Sequence, residues 1–282
     1  SIRLAHGTLV TEAQRQQLRS RVRTSYGIPE DAILFGVFGG VTPDKRVPQI
    51  LDALDAIVPY APTARLLLAG SAPHHYDVEA DVRRRGLEGR VTLTGYLTDE
   101  SDLTACIAAS DIALNLRWPT AREMSGPWLR ALAAGRPTIT IDLAHMVDVP
   151  SLDPRTWRMN ASAAGSWRLA SAADRAKGEP RTANGEPVTV AVDILDEDHS
   201  LRLAMRRLAT DPALRASLGS AGQRYWQREH SMSCMLEDYE RVLAAAAATP
   251  APRLALPAHL VNDGDRLLND TLAPFSVGSV WR

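Results

Sequence analysis

The 282-residue sequence has two cysteines, Cys106 and Cys234. Each sits in a helical pattern, as buried thiols of a reduced cytosolic protein do, and they offer neither a disulfide framework nor a zinc-type Cys/His spacing. No apolar run approaches the roughly 18 residues that cross a bilayer, and no charged-then-apolar leader is visible. Neither sign of charge is in excess, with 32 Lys+Arg against 33 Asp+Glu. No global field therefore steers the chain toward nucleic acid or an anionic membrane, and any anion it holds must be held by local groups. The seven histidines show no triad or ligand spacing. His74-His75 follow the second strand pattern and His145 the fifth; each fits an exposed loop or the lining of a cleft. These absences predict a cytoplasmic protein with no transmembrane segment, no nucleic-acid partner and no resident metal or cofactor. The opening Ser1-Ile2-Arg3-Leu4 reads as the interior of a longer chain.

What is present is an alternation. Hydrophobic residues make up 45% and charged residues 23%, ordinary for a globular domain. Residues 11–26, with apolar Leu18 and Val22, predict a surface helix ending at Gly27. Ile33-Leu34-Phe35-Gly36-Val37-Phe38 is a short apolar run, the mark of a strand buried on both faces. Ile50, Leu51, Leu54, Ile57 and Val58 then share a helical stripe. Strands are predicted again at 65–70, 91–95, 112–116, 138–141 and 188–192, with helices at about 76–85, 101–109 and 126–134. Strand–helix alternation of this kind gives an α/β fold with a doubly wound, Rossmann-like parallel sheet, and ligands bind such sheets beyond the carboxyl ends of the strands. Residues 150–187 break the rhythm and predict a long loop with a mobile centre at 165–187. From Asp196 onward the pattern is helical until Pro250.

Three features lie where that sheet would bind a ligand. In Gly39-Gly40-Val41-Thr42-Pro43-Asp44-Lys45, two glycines allow a close backbone approach, and Lys45 stands at the expected helix start. The segment is either a phosphate cradle or a tight turn with a solvent-facing lysine. After the fourth strand comes Arg117, followed by Glu123-Met124-Ser125-Gly126. Ser125 is a natural N-cap, and Gly126 would let a diphosphate reach the free amides of the helix. Glu123 could accept from sugar hydroxyls or simply face the helix dipole. At the third strand's end, Tyr96 and Leu97 could sandwich a nucleobase or lie on the surface.

Taken in order, these motifs resemble family 4 retaining glycosyltransferases over roughly residues 4–246. The matching elements are Phe38-Gly39-Gly40 with Lys45, Leu68-Ala69-Gly70, Gly95-Tyr96-Leu97, Glu123-Met124-Ser125-Gly126 and Ala133-Ala134-Gly135-Arg136-Pro137. Ala5-His6-Gly7 looks like the His-Gly that leads into the family's C-terminal domain, one half of a two-domain GT-B fold. The resemblance implies metal-independent transfer of a sugar, with retention, from a UDP- or GDP-type donor. Lys45 would neutralise the leaving diphosphate, Glu123 would orient the donor sugar, and the Ser125 and Gly126 amides would hold phosphate. The acceptor, whether glycan, lipid or small molecule, would be held by an N-terminal domain missing from the chain, so this fragment alone would not turn over. Two positions depart from the family pattern. Gly40 stands where an arginine is usual, and Arg130 stands at the second of two glutamates, one residue nearer the first. Arg130 and Arg117 could contact phosphate instead, or be surface or interdomain arginines. A non-catalytic binding module that keeps the sheet is the alternative these departures motivate. The implied organisation is a linker at 1–28, a nucleotide-sugar-binding domain at 29–248 and a tail at 249–282.

Overall fold

The computed structural model describes residues 2–119, 124–146, 148–160, 186–250 and 265–275. They fall into two compact units, Ser1–Asp238 and Tyr239–Arg282. The first carries a seven-stranded sheet in the order β3-β2-β1-β4-β5-β7-β6, in which every neighbouring pair is parallel. Its strands are β1 (Ile33–Phe38), β2 (Ala64–Ala69), β3 (Val91–Leu93), β4 (Ile112–Asn115), β5 (Thr138–Ile141), β6 (Ser151–Leu152) and β7 (Thr189–Val192). The first five and β7 follow the apolar runs of the sequence. The two-residue β6 does not: it lies in the stretch expected to be a loop, and it forms only by pairing with β7. That strand rests on a distant partner rather than on local pattern.

The helices of this unit are α1 (Glu12–Ser25), α2 (Val47–Ile57), α3 (Val78–Arg84), α4 (Glu100–Ala109), α5 (Gly126–Ala133), α6 (Glu197–Thr210) and α7 (Pro212–Glu229). Strands β1, β2 and β4 alternate their side chains between two cores. Phe35, Val37, Leu66, Leu68, Ile112 and Leu114 pack with α2, α3 and α6 on one face. Leu34, Phe38, Leu67, Ala69 and Ala113 pack with α1, α4 and α5 on the other. A strand covered on both sides is apolar at most positions, which is why β1 reads as an unbroken run. Trp128 of α5 is 1% exposed among Leu129, Leu132, Tyr225 and Trp226, and its indole donates to Thr138 Oγ1 at 3.2 Å.

The residues before β1 are tied to the domain. Trp226 Nε1 donates to the His6 carbonyl at 2.9 Å, and the Val10 amide donates to the Ala133 carbonyl at 3.2 Å. Helix α1 is fastened by Arg23, which is fully buried and paired with Asp111 at 2.9 Å. Helix α8 (Met232–Ala248) begins in the first unit and ends in the second, which also contains α9 (Asp265–Leu272) and a 3-10 turn at Ala273–Phe275. The first compact unit ends at Asp238, within α8. The mobile centre expected at 165–187 lies outside the described residues apart from Glu186 and Pro187. No described helix is long and apolar enough to cross a membrane.

Candidate functional site

The strand order reverses direction between β1 and β4, so their following connections leave toward opposite faces and open a crevice at the carboxyl edge of the sheet. The loop after β1 forms one wall. Gly39 takes a positive φ of 78° while its amide donates to Ala69 at 2.9 Å, and the Val41 amide donates to Ser71 at 2.8 Å. The backbone therefore stays against the end of β2. That approach demands glycine at position 70, where a Cβ would lie 2.1 Å from the Gly39 carbonyl oxygen.

Lys45 was expected at the start of a helix facing solvent or phosphate. It ends a 3-10 turn, Pro43–Lys45, and folds back so that its ammonium donates to the Phe38 carbonyl. Burial holds the ammonium below a lysine's usual range, at about 8; Asp44 opposes the shift and Arg117 adds to it. The charge therefore lies over the glycine loop rather than out in water. The next residue, Arg46, takes a left-handed φ of 60°, and its Nε donates to Glu197 Oε1 at 2.8 Å. This pair anchors the loop to α6. Sequence reasoning missed it, because the two residues stand 151 positions apart and neither belongs to a local pattern.

The connection after β4 forms the other wall and is tied directly to the first. The Trp118 amide donates to the Asp44 carbonyl at 2.7 Å, and Arg117 Nε lies 3.4 Å from Asp44 Oδ2. Ser125 caps α5 as its sequence position suggests, accepting from the Trp128 amide at 3.4 Å. Its hydroxyl also donates to Asn115 Oδ1 at 3.2 Å, at the end of β4. Lys45, Arg117 and the Ser125–Gly126 turn therefore share one edge of the sheet. A small cavity of about 40 Å³ opens there between Asn115, Arg117, Ser125, Thr140 and His145. Asn115 Nδ2 is buried beside it with no hydrogen-bond partner among the described residues, so a polar donor is left available at the strand end. Its position as the last residue of an apolar strand was the sequence signal for it.

Gly126, Arg130, Tyr96 and Leu97 have surroundings of their own. At Gly126 a Cβ would lie 2.9 Å from the His6 ring, so the missing side chain makes room for His6 rather than for a ligand. His6 Nε2 accepts from Arg130 Nε at 2.9 Å; burial, then the Arg130 charge, lower the imidazole pKa and keep that nitrogen an acceptor. Arg130 is 8% exposed, and it also meets Glu100 Oε2 at 2.9 Å and Thr104 Oγ1 at 3.3 Å. Its guanidinium is thereby engaged with α4 and with the segment before α1. Tyr96 and Leu97 leave β3, two strands from β1. Tyr96 is 76% exposed, while Leu97 packs partly into the core beside α4. Glu123 lies outside the described residues. Among the described residues, no group of three or more His, Cys, Asp or Glu could hold a metal ion.

Residues 32–155 match the family model described as "Glycosyl transferases group 1". An alpha-D-kanosaminyltransferase of Streptomyces kanamyceticus is 32% identical over 90 residues, covering 32% of this chain and 22% of that protein. A GDP-mannose-dependent alpha-(1-6)-phosphatidylinositol dimannoside mannosyltransferase of Mycobacterium tuberculosis is 26% identical over 135 residues, covering 48% of this chain and 33% of that one. Among solved structures, Anabaena HepE in complex with UDP superposes with a TM-score of 0.59 at 16% identity, over 81% of this chain and 53% of that chain. The C-terminal domain of a group 1 family glycosyl transferase from Francisella tularensis superposes with a TM-score of 0.54 at 15% identity, over 80% of this chain and 96% of that domain. The chain thus spans a third or less of these curated relatives and about half of HepE.

Proposed function

We propose that this chain, whose residues 32–155 match the family model of group 1 glycosyl transferases, is the donor-binding half of a retaining glycosyltransferase that uses a nucleoside-diphosphate sugar. The observation that carries the reading is the knot at Asp44. It draws the Lys45 loop after β1 and the Arg117 connection after β4 together at the topological switch point. Departure of a nucleoside diphosphate builds negative charge on the β-phosphate. A desolvated ammonium, a guanidinium and the Gly126 amide at the start of α5 are fixed donors for that charge and need no metal. Lys45 and Arg117 would meet the pyrophosphate, and Asn115 Nδ2 would donate to a donor oxygen. Tyr96 would stack on the base, and Glu123 would orient the sugar. Two relatives support the donor class: one is named as GDP-mannose-dependent and one structure contains UDP. The acceptor, a glycan, lipid or small molecule, would lie against a second domain outside these 282 residues.

Calorimetric titration of the chain with UDP-, GDP- and ADP-sugars tests this. Weak, saturable binding of one of them is expected, reduced about 10- to 100-fold by Lys45→Ala, the usual weight of a charge-assisted contact. Failure of all three to bind, with wild type and variant alike, would refute it. Gly40 and the engagement of Arg130 with His6 and Glu100 favour a second reading, a binding module without turnover. A full-length protein that binds the donor yet neither transfers nor hydrolyses its sugar would establish that reading.

A further inference from the structure

A second cavity lies at the other end of the sheet. It has a volume of about 700 Å³ and is walled by the start of α1, the turn before β5 and the exposed side of α7. It faces the amino ends of the strands, since Asp111 immediately precedes β4 and Gly135-Arg136-Pro137 precede β5. Three guanidinium groups line it: Arg15, Arg136 and Arg215. Two carboxylates, Glu12 and Asp111, line it as well, but both are already engaged. Glu12 pairs with Arg15. Asp111 accepts from Arg19 at 2.7 Å, from the fully buried Arg23 at 2.9 Å and from the Leu34 amide at 2.7 Å. Neither Arg136 nor Arg215 forms an ion pair among the described residues.

Each cation also holds a carbonyl, and Arg215 holds a second one, that of Ala209, at 3.1 Å. Arg15 donates to the Ala134 carbonyl at 3.2 Å, Arg136 to the Ser110 carbonyl at 3.1 Å, and Arg215 to the Leu208 carbonyl at 2.6 Å. These carbonyls lie at the ends of α5, α4 and α6, where helix dipoles favour cations. A carbonyl occupies one donor of the five that a guanidinium offers. Arg136 Nε remains buried without a partner among the described residues. Burial, and then the charge of Arg15, hold the Arg136 guanidinium down at about 9; burial lowers Arg15 and Arg215 too. Cations brought together beyond what their carboxylates neutralise form a site that an anion would relieve.

We propose that this amino-edge cavity binds a small phosphorylated metabolite, with Arg136 and Arg215 as the anion-binding pair and Arg15 at the rim. The volume suits a small molecule. Gln223 and Ser220 on α7 supply amide and hydroxyl groups for the polar remainder of the ligand. The site stands apart from the Lys45 edge, so it would sense a second compound rather than the donor.

The test titrates the Lys45→Ala chain, in which the other anion edge is silenced, with inorganic phosphate, pyrophosphate, glucose 1-phosphate and uncharged glucose. Saturable binding of the phosphorylated probes and none of glucose is expected. Arg215→Gln and Ala216→Glu should each weaken that binding at least about tenfold, the latter by setting a carboxylate on the cavity wall at an exposed helical position. Should Arg215→Gln unfold, Ala216→Glu carries the test alone. Absence of saturable binding by every phosphorylated probe, or binding that Ala216→Glu leaves unchanged, overturns the proposal.

Discussion

The Trp118 amide donates to the Asp44 carbonyl at 2.7 Å, so the connections after two adjacent strands are joined through backbone rather than through side chains alone. The Arg117–Asp44 ion pair beside that bond is 47% and 35% exposed, and exposed pairs contribute about 1 kcal/mol at most. Asp44→Ala is therefore expected to shift the melting temperature by no more than about 2–4 °C. The Trp118 amide should exchange slowly with solvent in both proteins, because the bond it makes survives the substitution. Rapid exchange of that amide in the wild type, read by NMR, would show the two walls to be unconnected.

Lys45 should report on anion binding through its proton. Its ammonium titrates at about 8 in the free chain, and a bound pyrophosphate favours the charged form and raises that value. Donor binding near pH 8 should then take up protons, so the calorimetric enthalpy should vary with the ionisation enthalpy of the buffer. Affinity should fall as pH rises from 7 to 9, steepening toward about tenfold per unit above the free value. Both dependences should vanish in Lys45→Ala. Proton uptake of equal size in that variant would assign the titration to another group.

The same burial has a consequence for stability whose sign is fixed. Folding lowers the Lys45 pKa, so in the range between about 8 and the unfolded value the unfolded chain binds this proton more tightly. Below pH 8 the charged group opposes folding by its full amount, and the opposition fades as pH rises through that range. Compared with Lys45→Met, the wild type should therefore gain melting temperature between pH 7 and pH 10. About 1 kcal/mol of relief corresponds to roughly 2–4 °C in a domain of this size. Scanning calorimetry that finds a pH-independent difference would remove the case for a desolvated ammonium.

How much of this could be read from residues alone depended on range. The strand Ile33–Phe38 is buried on both faces, so its apolar run announces it without reference to any neighbour. The Ser125 cap is equally local, a hydroxyl three residues from the amide it satisfies. The Arg46–Glu197 anchor and β6 have no such local cause and depend on partners brought close only by the finished fold. Gly126 shows a subtler limit. A glycine at a helix start is compatible with an approaching phosphate or with an approaching side chain, and only the arrival of His6 from before α1 distinguishes them. Arg130 follows from the same event, because the imidazole that fills the space over Gly126 is also its hydrogen-bond partner.

Gly70 gives the sharpest test of the crevice wall. A Cβ there would fall 2.1 Å from the Gly39 carbonyl oxygen and 3.3 Å from the Gly40 amide, and backbone cannot rotate aside as a flexible side chain can. Gly70→Ala must push the glycine loop off β2, at a cost of about 1–3 kcal/mol typical of overpacking. The displaced loop would carry with it the Phe38 carbonyl that holds the Lys45 ammonium. Gly89→Ala is the matched control, since nothing lies within 4 Å of a Cβ at that position. The control is expected to melt within about 1 kcal/mol of wild type, or slightly above it through reduced freedom of the unfolded chain. It should also bind donor normally. Gly70→Ala should melt lower and lose donor affinity by more than its fraction unfolded explains. Equal donor affinity in the two variants, measured well below both melting temperatures, would mean that the loop after β1 takes no part in binding.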